Sequence, residues 1–165
     1  MLVAKANRGW ILYNLLVGFS FYWAANLLLW FPWSIDQYLG ITLMLTVAPF
    51  LWGLGVYNCL VRYQGKNIMN GAIVNSLTLL IIAAILDYIF FGLIRGATKE
   101  LYHPTTFYGY GFLISLPFIE IFIIRKLIIR NNRKIQTTDF IKTLIFGTIS
   151  LLILIAIIKF NIKIK

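Results

Sequence analysis

Five long apolar runs separated by short polar turns set the pattern of this chain. They cover about 10–31, 38–61, 71–94, 107–129 and 140–159, each near the roughly 20 residues a helix needs to cross the hydrocarbon of a bilayer. None alternates apolar and polar positions with a period of two, so the runs predict helices and not barrel strands. In the turn "FPWSIDQY" Pro32 is expected to stop the first helix, and in "RYQGKNIMN" Gly65 supplies tight geometry. The fourth run loses its apolar character near Ile124 and continues as the basic extension "RKLIIRNNRK". The fifth, "TLIFGTISLLILIAII", is short and almost uninterrupted. The expected fold is an all-α integral membrane protein, a compact bundle of five transmembrane helices in a single domain, 1–165. The alternative keeps four spans and makes the C-terminal run a re-entrant or interfacial helix.

Within the runs, small and weakly polar residues recur at helical spacing. Lipid supplies no hydrophobic drive for helix pairing, so such residues mark the faces that pack. The stripes are Asn14, Gly18 and Ala25 in the first run and Thr42, Thr46, Pro49, Gly53 and Tyr57 in the second. The third offers Ser76, Ala83, Ala84 and Asp87, and the fifth Thr143, Gly147 and Ser150. Pro49 and Pro117 free the carbonyls of Leu45 and Leu113, leaving room for a bend or a cavity. Gly109 and Gly111 are expected to let the chain enter the fourth helix closely packed.

Charge adds orientation. Placing the N-terminus in the cytoplasm puts Lys5, Arg8, Arg62, Lys66, Arg125, Lys126, Arg130, Arg133, Lys134 and Lys142 inside, and Arg95, Lys99, Lys159, Lys163 and Lys165 outside. Ten bases against five favours N-terminus inside and C-terminus outside, in a plasma or inner membrane. The four-span alternative returns the tail inside and gives thirteen against two. Trp30, Trp33, Tyr38, Tyr102, Tyr108 and Tyr110 then fall at outer ends, and Trp10, Tyr13, Tyr57 and Tyr63 at inner ends, as interfacial belts require.

Composition agrees with a membrane solvent: 61% hydrophobic and 12% charged residues, with a mean hydropathy of +0.86. The net charge of +10 sits at run ends, which suits anionic headgroups better than nucleic acid, since no basic stripe is interleaved with aromatics. The chain has one cysteine, Cys59, and one histidine, His103. It cannot close an internal disulfide or by itself furnish a zinc, haem or iron–sulfur site, and no cofactor or metal is expected.

Asp87 interrupts the third apolar run, where a carboxylate costs at least about 2.5–3.5 kcal/mol unless it faces the bundle or water. It lies about two turns before Arg95, too far for a direct pair on one helix surface. The candidate partners form a ligand or coupling-ion pocket around it: Asn26, Arg95, His103, Tyr108 and Tyr110. Glu120 is expected to pair with Arg125 or Lys126 or to reach the interface. Asp36, Glu100 and Asp139 read as solvated turn residues. The bases of "RKLIIRNNRK", Arg125, Lys126, Arg130, Arg133 and Lys134, are the expected anionic-lipid contact.

No Walker loop, nucleophile elbow or HExxH motif is present. The expected function is therefore non-enzymatic: binding of a lipid or small apolar ligand, or service as an accessory subunit of a larger membrane complex or homo-oligomer. Two alternatives remain open at this level. One is a small proton- or cation-coupled transporter using Asp87. The other is a lipid-headgroup-modifying enzyme with Asp87 and His103 as its acid–base pair.

Overall fold

The computed structural model describes residues 8–160, the side chain of Glu100 excepted. Lys5, Lys163 and Lys165 of the charge count therefore lie outside the described residues, as does the Glu100 side chain. The described chain is helical throughout, with no strand among the described residues. Five long helices account for it: α1 (Arg8–Ile35), α2 (Gln37–Leu60), α3 (Ile68–Ile94), α4 (Pro104–Arg130) and α5 (Thr137–Lys159).

Four of them, α1, α2, α3 and α5, are long and apolar enough to cross a membrane. The helix that falls short on composition is α4, which carries Glu120, Arg125, Lys126 and Arg130 along its C-terminal half. The C-terminal run, doubtful in the sequence, forms one unbroken 23-residue helix, long and apolar enough to cross a membrane.

The helices begin where polar caps dictate. The Asp36 side chain accepts from the amide of Leu39 (2.9 Å) to open α2, and Asn67 accepts from Met69 (3.0 Å) to open α3. At α4 the His103 cap is followed by Pro104 in the first turn, where the missing amide costs nothing. Gln136 and Asp139 form a reciprocal capping box at α5. Asp139 is thus a helix-start residue, a correction to its expected role as a solvated turn residue. Gly96, in the left-handed region at φ 63°, closes α3.

Pro32 does not stop α1, which runs on to Ile35. The reason is a π-helical turn, Asn26–Trp30, directly before it. The wider turn opens the backbone at Leu28, whose carbonyl the proline ring would otherwise strike. A second π segment, Tyr88–Ile94, forms the C-terminal part of α3.

In the packing, α1 is central and touches α2, α3 and α5, while α4 lies across α2 and α3 on the other side. The core joins Tyr22, Trp23, Trp52, Val56, Leu60, Leu79, Phe90, Leu113 and Leu116. α5 crosses α1 where Gly147 meets Ser20 so closely that a Cβ on Gly147 would lie 2.7 Å from the Ser20 Cα. The stripes of α1 and α5 face this core: Asn14, Gly18, Ala25, Gly147 and Ser150 are buried.

The stripe of α2 does so only at its C-terminal end. Thr42, Thr46 and Pro49 are exposed, whereas Gly53 lies against Glu120 and Tyr57 packs on the core, beside the buried Trp52, Gly55, Val56 and Cys59. The two threonines satisfy themselves by donating back to the carbonyls of Tyr38 (2.9 Å) and Thr42 (2.7 Å), so their polarity demands no neighbouring helix. Gly109 and Gly111 also break expectation: nothing lies within 4 Å of a Cβ at either position.

Candidate functional site

Asp87 closes the α-helical part of α3 and is followed at once by the π segment. Its Oδ1 accepts from the Tyr22 hydroxyl of α1 (2.8 Å), and its Oδ2 from the Tyr110 hydroxyl of α4 (2.7 Å). One carboxylate thereby ties three helices together, with both oxygens occupied. Asn26, one turn above Tyr22, donates to the Tyr22 carbonyl (3.0 Å) and is itself the first residue of the π turn in α1. Both π segments therefore start at the level of this polar cluster. π turns recur where a helix bends to serve a local arrangement; here they re-aim the C-terminal ends of α1 and α3 around the carboxylate.

Of the residues expected in a pocket around Asp87, the structure brings Tyr110 to it, while Asn26 bonds to the backbone of Tyr22 and not to the carboxylate. Arg95 instead lies over the ring of Trp30 (4.6 Å to the centroid) and near Phe91 (5.6 Å). His103 is exposed, with Nδ1 2.7 Å from the Thr105 hydroxyl, so its local role is the cap of α4. Tyr108 is 75% exposed and points away from the core. Tyr22 is the residue that sequence reasoning missed. A signal was available: Tyr22 is eight residues before Trp30 as Asp87 is eight before Arg95, which sets the two at similar depth.

A second polar cluster lies toward the opposite end of the bundle. The Asn75 amide of α3 donates to Asn14 Oδ1 of α1 (2.5 Å), and Asn14 donates to the Trp10 carbonyl (2.7 Å). The Trp10 indole in turn donates to the Cys59 carbonyl (2.7 Å). Below it Arg62, 3% exposed, pairs with Asp139 (2.6 Å), donates to Asn58 (2.8 Å) and lies over the Tyr13 ring (5.2 Å). Asn132 and Arg133 bond to Tyr63 and Val61, which fastens the α4–α5 turn to the end of α2. Arg62, counted in the sequence as a cytoplasmic surface charge, is instead the buried half of an interhelical ion pair.

Glu120 departs from expectation as well. It forms no pair with Arg125 or Lys126, both exposed. Residues five apart lie about 140° around a helix, so Glu120 turns toward α2 while Arg125 turns outward. The carboxylate is 8% exposed.

The remaining cations of the α4 end, Arg130, Arg133 and Lys134, are exposed like Arg125 and Lys126. Beside Arg125 and Lys126 lies an open apolar face formed by Phe118, Ile119, Phe122 and Ile123 of α4, next to Met69 of α3. Among the described residues no group of three or more His, Cys, Asp or Glu side chains is placed to hold a metal. Comparison with protein-family models, with curated proteins and with solved structures finds no match.

Proposed function

We propose that the protein is a non-enzymatic, five-span membrane protein with a cytoplasmic N-terminus and an external C-terminus, and that it binds anionic lipid on its inner side. The observation that carries this reading is an open apolar face of α4 beside Met69 of α3. Its apolar side chains project outward, Phe122 being 91% and Ile123 71% exposed, and Arg125 and Lys126 edge it. An acyl chain fits this face, and a phosphate-bearing headgroup complements the two bases, each worth about 1 kcal/mol at a charged lipid surface. Arg130, Arg133 and Lys134 extend the same basic field toward the α4–α5 turn. With both oxygens engaged by tyrosines, Asp87 is an anchor between helices in this reading and takes no part in chemistry.

The test is native mass spectrometry of protein extracted gently from membranes containing phosphatidylglycerol and phosphatidylcholine. Retention of the anionic lipid over the neutral one is expected, with a loss of about thirtyfold on replacing both Arg125 and Lys126 by glutamine. A bare monomer, or equal retention of both lipids, sinks the reading. Persistent capture of another membrane protein in place of lipid favours the accessory-subunit role.

A further inference from the structure

Among the described residues, the Glu120 carboxylate is the one buried acid that the fold leaves uncompensated. Asp139 has Arg62, and Asp87 has two tyrosine hydroxyls. Glu120 Oε2 is buried with no hydrogen-bond partner. Its Oε1 lies over Gly53 of α2, 3.3 Å from where a Cβ would be, so the absence of a side chain there makes room for the carboxyl. Cys59, less than two turns further along α2, is fully buried, and Asn75 of α3 has an Oδ1 that also lacks a partner. The titratable side chains of α2 beyond Gly53 are thus Tyr57, whose hydroxyl accepts from Asn131, and Cys59; α3 contributes the neutral Asn75, and the cations of α4 itself, Arg125 and Lys126, are exposed.

The backbone around Glu120 is interrupted on both sides. Pro117 lies three residues before it inside α4, and Ile124, four residues after it, leaves helical geometry at φ −121°, ψ 21°. About two turns of helix bearing a carboxylate are therefore set between a lost backbone hydrogen bond, with the Leu113 carbonyl freed by Pro117, and the bend at Ile124. A buried ionised carboxylate without a partner costs several kcal/mol, so the group persists in this position only when a positive charge neutralises it. Interrupted helices with freed carbonyls are where membrane proteins hold small ions.

We propose that Glu120 is the seat of a small monovalent cation, a proton or an alkali ion, held between α2 and α4 opposite Gly53. This assignment is independent of the lipid reading, because the burial is provided by the protein's own helices. It moves the exchangeable site from Asp87, whose oxygens are satisfied, to a residue with an open acceptor.

The chain has two glutamates, Glu100 and Glu120, so full-length protein labelled with ¹³C at the glutamate carboxyls gives two resonances. Glu100→Gln, a change outside the bundle, leaves Glu120 alone in the spectrum without disturbing its surroundings. At neutral pH in choline buffer the Glu120 signal is expected at the position of a neutral carboxyl if the occupant is a proton. If it is an alkali ion, the signal moves on titration with sodium and not with choline. A free-carboxylate signal unresponsive to sodium, with the ordinary titration of a solvated glutamate, overturns the proposal.

Discussion

Asp87 shows how a single side chain organises helices in a solvent that gives them little reason to associate. A carboxylate in hydrocarbon must find donors, and here one donor comes from each of two neighbouring helices. Hydrogen bonds to a charged group contribute about 1.5–3 kcal/mol, and stranding a buried acceptor costs about 1–3 kcal/mol. Tyr22, 4% exposed, has no water to replace it, whereas Tyr110 is half-buried. Tyr22→Phe is therefore expected to cost about 1–3 kcal/mol and Tyr110→Phe less, read as shifts in the thermal midpoint in detergent. Tyr108→Phe, at an exposed ring, should stay within about 0.5 kcal/mol. Equal losses at Tyr22 and Tyr108 would contradict the assignment. That Asp87 needs a polar partner was legible in the sequence from the cost of burying it. The identity of the partner was not, because reading tyrosines as interfacial belts hides the two that turn inward.

At the scale of elements, apolar run length places the five helices, but the cap roles of Asp36, expected only as a solvated turn residue, and of Asn67 were not read from the sequence. Two further things escaped. The π turns leave no compositional trace, since a single i→i+5 turn has no periodicity of its own. The packing face of α2 escaped because exposed threonines that bond to their own carbonyls look, in sequence, like residues seeking a partner. The stripe rule holds where a small residue lets backbones meet, as at the α1–α5 crossing. Gly147→Ala is expected to destabilise by about 1–3 kcal/mol, since the new methyl meets the Ser20 backbone. Gly111→Ala, with open space around it, should be neutral or stabilise by about 0.5–1 kcal/mol. Parallel melts of the two variants make the comparison, and a loss at Gly111 matching that at Gly147 would argue against close packing as the cause.

For the whole molecule, orientation rests on the exposed bases at the α4–α5 turn. Cys59, the chain's one thiol, is fully buried, so cysteines introduced elsewhere report alone. With membrane-impermeant maleimide, Thr98→Cys is expected to label in intact cells, and Lys134→Cys only after permeabilisation. The reverse pattern would invert the proposed topology. The charge count that sets this orientation weighs position along the chain and is blind to burial. Arg62 enters it as one more cytoplasmic base, yet most of its charge is spent on Asp139, the first-turn acid of a helix 77 residues away.

The π turns have a last consequence, for the match between protein and bilayer. Widening a helical turn shortens its rise, so α1 and α3, at 28 and 27 residues, are less tall than their sequences suggest. At the usual 1.5 Å per residue such helices would reach about 40 Å, against a hydrocarbon core of roughly 30 Å. Taking up residues in the wider turns lets both helices carry Trp30 and Phe91, the rings beneath Arg95, to one shared level. Part of the excess length is absorbed in the backbone, and correspondingly less tilt is needed to fit a membrane of ordinary thickness.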